Sequence, residues 1–220
     1  MTACSSPASI DNTLDTTVEG RFIWSGDNKE GQDFLYYFSS ELLFGDKAES
    51  DIAGANDQAQ AKVVAQSERV YQGERALVLE YINKTEGLLR ANYYLSFIKN
   101  DTASDLEPTG LDFRKHDYLT FYLFSEAGLE NLELLDVNVF LSSSDDKKIR
   151  SASGNISDQI RVTGLAEWTK ISVPLVELLR PALSPDLQAV NPKKVSKLAI
   201  QLENSTEIHF RLFVDSIELQ

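Results

Sequence analysis

The chain has 220 residues, with 21 Lys and Arg against 34 Asp and Glu for a formal net charge of −13, and 42% of it is hydrophobic. That length and apolar content support a packed core and exclude a disordered or collagen-like chain, and no run approaches the roughly eighteen apolar residues that a spanning helix needs. The excess of acid repels phosphate backbones and excludes generic nucleic-acid binding.

The N-terminus carries the only cysteine, so no intrachain disulfide can form. Cys4 stands in Met1-Thr2-Ala3-Cys4, followed by Ser5-Ser6-Pro7-Ala8-Ser9. Small residues before a cysteine and a small-polar tether after it resemble the end of a bacterial lipoprotein signal, in which the cysteine is lipidated. The plain alternative is an exposed thiol in a loose N-terminus. Residues 1–17 read as a flexible tether and residues 18–220 as a single folded domain.

Beyond the tether, period-two alternation of β-branched and aromatic residues dominates. It predicts strands over 21–24, 34–38, 61–65, 76–82, 89–97, 118–124, 135–141, 159–162, 169–173, 197–202 and 208–219. One stretch, Pro174–Leu183, has helical spacing, with Leu175, Leu178 and Leu179 on one face. Pro174 suits a first helical position, and Pro185 lies beyond the end. Eleven short strands and one short helix predict an all-β antiparallel sandwich rather than βαβ winding. In three strands one face is apolar: Leu119, Phe121 and Leu123; Val137, Val139 and Leu141; Leu198, Ile200 and Leu202. The faces opposite mix aromatic and amide groups, which is unusual for a merely solvated surface.

Four segments, in order, resemble the jelly-roll carbohydrate-binding modules of the galactose-binding-like group. They are Val70-Tyr71-Gln72-Gly73-Glu74-Arg75 with the strand that follows, Leu111-Asp112-Phe113 through Tyr118 and its strand, Trp168 with its strand to Pro174-Leu175, and the closing Phe210–Leu219 with Asp215 before its last apolar pair. The resemblance covers about residues 60–220 and implies a jelly roll. It further implies a shallow groove that takes an oligo- or polysaccharide, lined by Arg90, Asn92, Tyr94, Tyr122, Asn138, Phe140 and Gln201, with His209 and Arg211 as neighbours. Aromatic rings there stack on pyranose faces, while amides, guanidinium groups and carboxylates bond hydroxyls. The same residues also suit an ordinary outer sheet face. The resemblance implies a structural calcium too, with Asp215 and partner carboxylates from Glu19 and Glu41, completed by carbonyls and water.

Signals for catalysis are sparse. His116 and His209 are the only histidines, and metal-ligand spacings, a nucleophile elbow and a phosphate-binding glycine loop are all lacking. Asn83, Asn100, Asn155 and Asn204 begin Asn-x-Ser/Thr sequons, which a bacterial lipoprotein would carry by coincidence. The expectation is a non-catalytic, carbohydrate-binding domain lipid-anchored in the bacterial cell envelope. A structural subunit docking envelope proteins through the same sandwich is the alternative, and a polysaccharide-active enzyme the third reading.

Overall fold

The structure is a computed structural model that describes residues 22–24, 34–44, 47–48, 59–99, 110–143, 149–180 and 187–220. Cys4, the 1–17 tether, Glu19 and Asn100 lie outside the described residues. Among those described, the strands are β1 (Phe22–Trp24), β2 (Phe34–Phe44), β3 (Lys47–Ala48), β4 (Ala59–Gln66), β5 (Ala76–Asn83), β6 (Leu89–Lys99), β7 (Tyr118–Ser125), β8 (Asp136–Ser142), β9 (Gly154–Asn155), β10 (Thr169–Pro174), β11 (Lys197–Asn204) and β12 (Ile208–Leu219). Three short helices accompany them: α1 (Leu129–Glu133), α2 (Ser157–Thr163) and α3 (Leu175–Leu178).

The strands form two antiparallel sheets. The first runs β10-β7-β12-β5-β4, with β1 also on β12, and the second runs β3-β2-β6-β11-β8-β9. The predicted all-β sandwich is therefore the fold. Alternation decides what lies between the sheets. From the first come Leu77, Leu79 and Tyr81 on β5, Leu119, Phe121 and Leu123 on β7, and Phe210, Leu212 and Val214 on β12. From the second come Leu89, Ala91, Tyr93 and Leu95 on β6, Val137, Val139 and Leu141 on β8, and Leu198, Ile200 and Leu202 on β11. Each large side chain removed from water in this way contributes about 1.5–3 kcal/mol before the entropy of ordering it.

A buried polar cluster joins β5, β6 and β11 at one end of the sandwich. The Tyr81 hydroxyl donates to the Leu89 carbonyl at 2.9 Å, and Asn83 Nδ2 donates to Asn204 Oδ1 at 2.9 Å. Asn204 Nδ2 in turn donates to the Thr206 carbonyl at 2.7 Å. Asn83 and Asn204 are buried, so these two sequons hold the end of the sandwich together, whereas Asn155 is exposed.

The four resembling segments meet in space. In the loop before β5, the N–H groups of Tyr71 and Gln72 donate to Asp215 of β12, and Gly73 there has φ 78°, a turn only glycine enters cheaply. Leu175, after the Pro174 turn, donates to the Asp117 carbonyl ahead of β7 at 2.8 Å.

Two expectations need correction. Residues 159–162 belong to α2, not to a strand. Asn155 Oδ1 accepts the Ser157 N–H at 2.9 Å, Asp158 and Arg161 match the helix dipole, and Gly164 ends the helix at φ 69°. Of the Gln-Ile-Arg-Val run only Ile160 is buried, while Val162 is 87% exposed, so its alternation was never a buried face. The helix expected over Pro174–Leu183 is one turn, Leu175–Leu178, because Pro174 itself is extended (φ −61°, ψ 124°) and ends β10.

Candidate functional site

Residues directly opposite each other on antiparallel neighbours share a face. The register of β2, β6, β11 and β8 therefore arranges the outer face of the second sheet in rows, about 7 Å apart along the strands. One row holds Leu43, Arg90, Glu203 and Asp136. The next holds Glu41, Asn92, Gln201 and Asn138, extended by Asn155 of β9. A third holds Ser39, Tyr94, Ala199 and Phe140, and a fourth Ser96, Lys197 and Ser142.

Six of the seven expected binding residues thus stand on one face of one sheet, arranged from a charged row through an amide row to an aromatic row. Depth divides them. Asn92, Phe140 and Gln201 form the floor, with 3%, 3% and 9% of their surface exposed. Arg90, Tyr94 and Asn138 are half-buried. In the floor Gln201 Nε2 donates to Asn92 Oδ1 at 2.8 Å, which sets both amides. Arg90 Nε is ion-paired with Glu203 Oε2 across the strands. The Tyr94 hydroxyl donates to Glu41 Oε2 at 3.1 Å, and its ring meets Phe140 edge-on at 6.3 Å over the small Ala199. Burial first, and then the Glu41 charge, raise the Tyr94 phenol above its ordinary pKa, so it stays a neutral donor.

Sequence reasoning missed several groups on this face. Lys197 Nζ lies 6.0 Å from the Tyr94 ring centroid and Arg150 Cζ 5.0 Å from that of Phe140. Lys197 was legible as the residue alternating with Leu198. Arg150 stands outside any predicted strand, and no periodicity marked it.

Tyr122 is elsewhere. It lies on β7 in the first sheet, opposite Asp215 and Lys170, and Tyr71 stacks on it at 3.7 Å with an interplanar angle of 16°. His209 and Arg211 also belong to that sheet, near Glu80 (3.4 Å) and Glu126 (3.6 Å). Alternation had given these residues the correct side of their strands, outward, but they face out from the other half of the sandwich.

The expected calcium ligands are likewise separated. Glu41 is on the outer face of the second sheet and Asp215 on that of the first, with the core between them. Asp215 is fully buried, and around it stand donors: Oδ2 accepts the N–H groups of Tyr71 (2.8 Å) and Gln72 (3.1 Å), and Oδ1 accepts that of Ser216 (2.6 Å). A calcium ion needs oxygens facing it. No group of three or more His, Cys, Asp or Glu able to hold a metal occurs among the described residues. Glu41 and Asp215 therefore cannot ligate one ion together.

The family model for carbohydrate binding domain 30 matches residues 36–220. The chain belongs to that family. It is a carbohydrate-binding module of the β-sandwich type, as its four segments led us to expect. Among curated proteins none matches it. Three similar solved structures illustrate the distance. A carbohydrate-binding module of the β-sandwich superfamily, described for promiscuous specificity, is 14% identical with a TM-score of 0.46; the match covers 92% of this chain and 62% of that one. The family 11 module from Clostridium thermocellum, in complex with a β-1,3-1,4-mixed-linked tetrasaccharide, is 15% identical with a TM-score of 0.44 and coverages of 89% and 94%. The family 30 module of a cellulosomal cellulase from the same organism is 14% identical with a TM-score of 0.45 and coverages of 74% and 90%.

Proposed function

We propose that the outer face of the second sheet is where this module takes an oligosaccharide segment, and that it acts by recognition without catalysis. One observation carries the reading: four neighbouring strands whose inner residues are core gather amides, a tyrosine, one guanidinium group and carboxylates on their outer side. Fixed amides on the floor orient hydroxyl groups, and the half-buried Arg90, Tyr94 and Asn138 meet the sugar directly. Such a preformed surface loses little entropy on binding.

A glycan array followed by calorimetry tests this. Tyr94→Ala and Asn138→Ala are expected to weaken the best ligand about tenfold or more with the melting temperature held, the value of one good polar or stacking contact. Tyr122→Ala is expected to leave affinity unchanged, because Tyr122 faces out from the other sheet. Full affinity in Tyr94→Ala refutes the assignment of the face. Absence of any glycan binding, with envelope proteins co-purifying, transfers the face to protein docking; cleaved polysaccharide products make the module part of an enzyme.

In this reading the domain hangs from a lipid on Cys4 in the bacterial cell envelope and presents glycan to a partner enzyme or transporter. Mass spectrometry of the protein from its host tests the anchor, and a free Cys4 thiol removes it. Calcium enters only through ligands outside the described residues, Glu19 among them. An unchanged melting midpoint in chelator removes it.

A further inference from the structure

Residues that point out of a sandwich sheet meet water and are normally polar. On β7 they are not. With Leu119, Phe121 and Leu123 in the core, Tyr118, Thr120, Tyr122 and Phe124 face outward, and three of these four are aromatic. Two more rings join them. Tyr71, from the loop before β5, stacks on Tyr122 at 3.7 Å, and Trp168, just before β10, meets Tyr71 at 6.0 Å and Phe124 at 5.7 Å. Depth separates these rings. Tyr122, Phe124 and Trp168 are half-buried, whereas Tyr71 and Tyr118 keep 43% and 46% of their surface exposed.

Tyr71 is exposed but held. Its N–H donates to the buried Asp215 at 2.8 Å, and its ring rests on Tyr122. Tyr118 and Tyr122 stand four residues apart on one strand, about 14 Å. Polar groups occupy the space between them. Lys170 lies opposite Tyr122 and Glu218 opposite the buried Thr120. Lys170 Nζ donates to Gln220 Oε1 at 3.1 Å, and Gln220 Nε2 donates to Glu218 Oε2 at 3.1 Å. The outer face of the first sheet thus presents two exposed rings with hydrogen-bonding groups between them.

We infer that this strip is a second glycan contact, separate from the face of the second sheet. One pyranose stacks on the side of Tyr71 turned away from Tyr122 and another on Tyr118, while Lys170, Gln220 and Glu218 bond hydroxyls. Size and charge give the ligand class. The two tyrosines expose about 200 Å² of ring surface, a quarter of the roughly 800 Å² that a stable protein partner covers on one side, yet enough for sugar faces. The Lys170 cation and the Glu218 carboxylate balance each other on one Gln220 amide, which suits a neutral chain. A ring fixed beforehand gives up little entropy when a sugar lands on it. The core separates the strip from the amide face, so one straight segment cannot touch both, and the module holds two chains. So few contacts give half-saturation at about 1–10 mM. The tighter binding of the amide face is measured without them, and Tyr122→Ala leaves that affinity unchanged.

The probes are neutral tetrasaccharides of β-linked glucose, mannose, galactose and xylose, titrated to about 50 mM into Tyr94→Ala protein, whose amide face is weakened. NMR is expected to show the Trp168 indole N–H and the Tyr71 and Tyr118 ring signals moving saturably with at least one probe. Tyr71→Ala keeps the backbone bond to Asp215, and with it the loop, and is expected to weaken this saturation about fivefold or more. Tyr118→Ala does the same from the other end of the strip. Signals on the first sheet that stay still while the amide face of the wild-type protein responds overturn the inference and leave the amide face standing. Shifts that persist at full strength in both variants overturn it too. A response on the first sheet alone keeps the inference and removes the amide-face reading, and no response on either face removes both.

Discussion

Asp215 has no exposed surface, and three backbone N–H groups converge on its carboxylate from the loop before β5 and from Ser216. Hydrogen bonds to a charged acceptor contribute more than neutral ones, and buried donors left unpaired are costly. Asp215→Ala is therefore expected to cost about 3 kcal/mol in urea unfolding, and Asp215→Asn less because one oxygen stays. A loss under half a kcal/mol would show that the clamp does not hold the loop. Asp112 gives a pH signature. The Arg114 guanidinium beside it holds its carboxyl down to about 2 from an ordinary value of 3.8. A depressed folded-state pKa contributes stability above the unfolded value and loses it as pH falls through the folded one, here from about 4 to about 2. Asp112→Asn is expected to flatten that part of an acid-unfolding curve, and an unchanged slope assigns acid sensitivity to other carboxylates.

At the level of elements, α2 depends on the residue that follows it. Gly164 at φ 69° lets the chain turn out of the helix, and Gly164→Ala is expected to lower stability by about 1 kcal/mol in thermal melts. Val162→Glu on the exposed side should change little, and if it destabilises strongly the helix packs differently. This helix also marks the boundary of what alternation reveals. In β7, β8 and β11 the apolar set repeats long enough to name a buried face, and each became core. The four residues of 159–162 fit both periods, and the deciding signals were the Asn155 side chain that accepts the Ser157 N–H and Gly164, both outside the run. The binding face was legible for a related reason: once Leu198, Ile200 and Leu202 are core, Gln201 must point away from it. Alternation distinguishes inside from outside but not one sheet from the other, and that is why Tyr122 was grouped with Tyr94. Arg150 was invisible because an isolated bridge leaves no period in the sequence.

Over the whole molecule, charge and topology act together. A net charge of −13 repels itself, and salt relieves the repulsion. The melting temperature is expected to rise between 10 mM and 150 mM sodium chloride, and a flat or falling profile would mean that local ion pairs outweigh the net field. The stabilising part lies in the centre of each sheet, where β12 is flanked by β7 and β5 with β1 beside its end, and β11 by β6 and β8.

The position of β12 has a consequence for the order in which the fold can be made. It comes after the other described strands in sequence, yet it belongs in the middle of the first sheet. Until it arrives, β5 and β7 each present an open edge, and the sandwich lacks Phe210, Leu212 and Val214 from its interior. Open edges and uncovered apolar faces invite pairing with other chains. Chains ending before residue 208 should therefore need a chaperone, and chains that include β12 should gain protease resistance in one late step as it inserts.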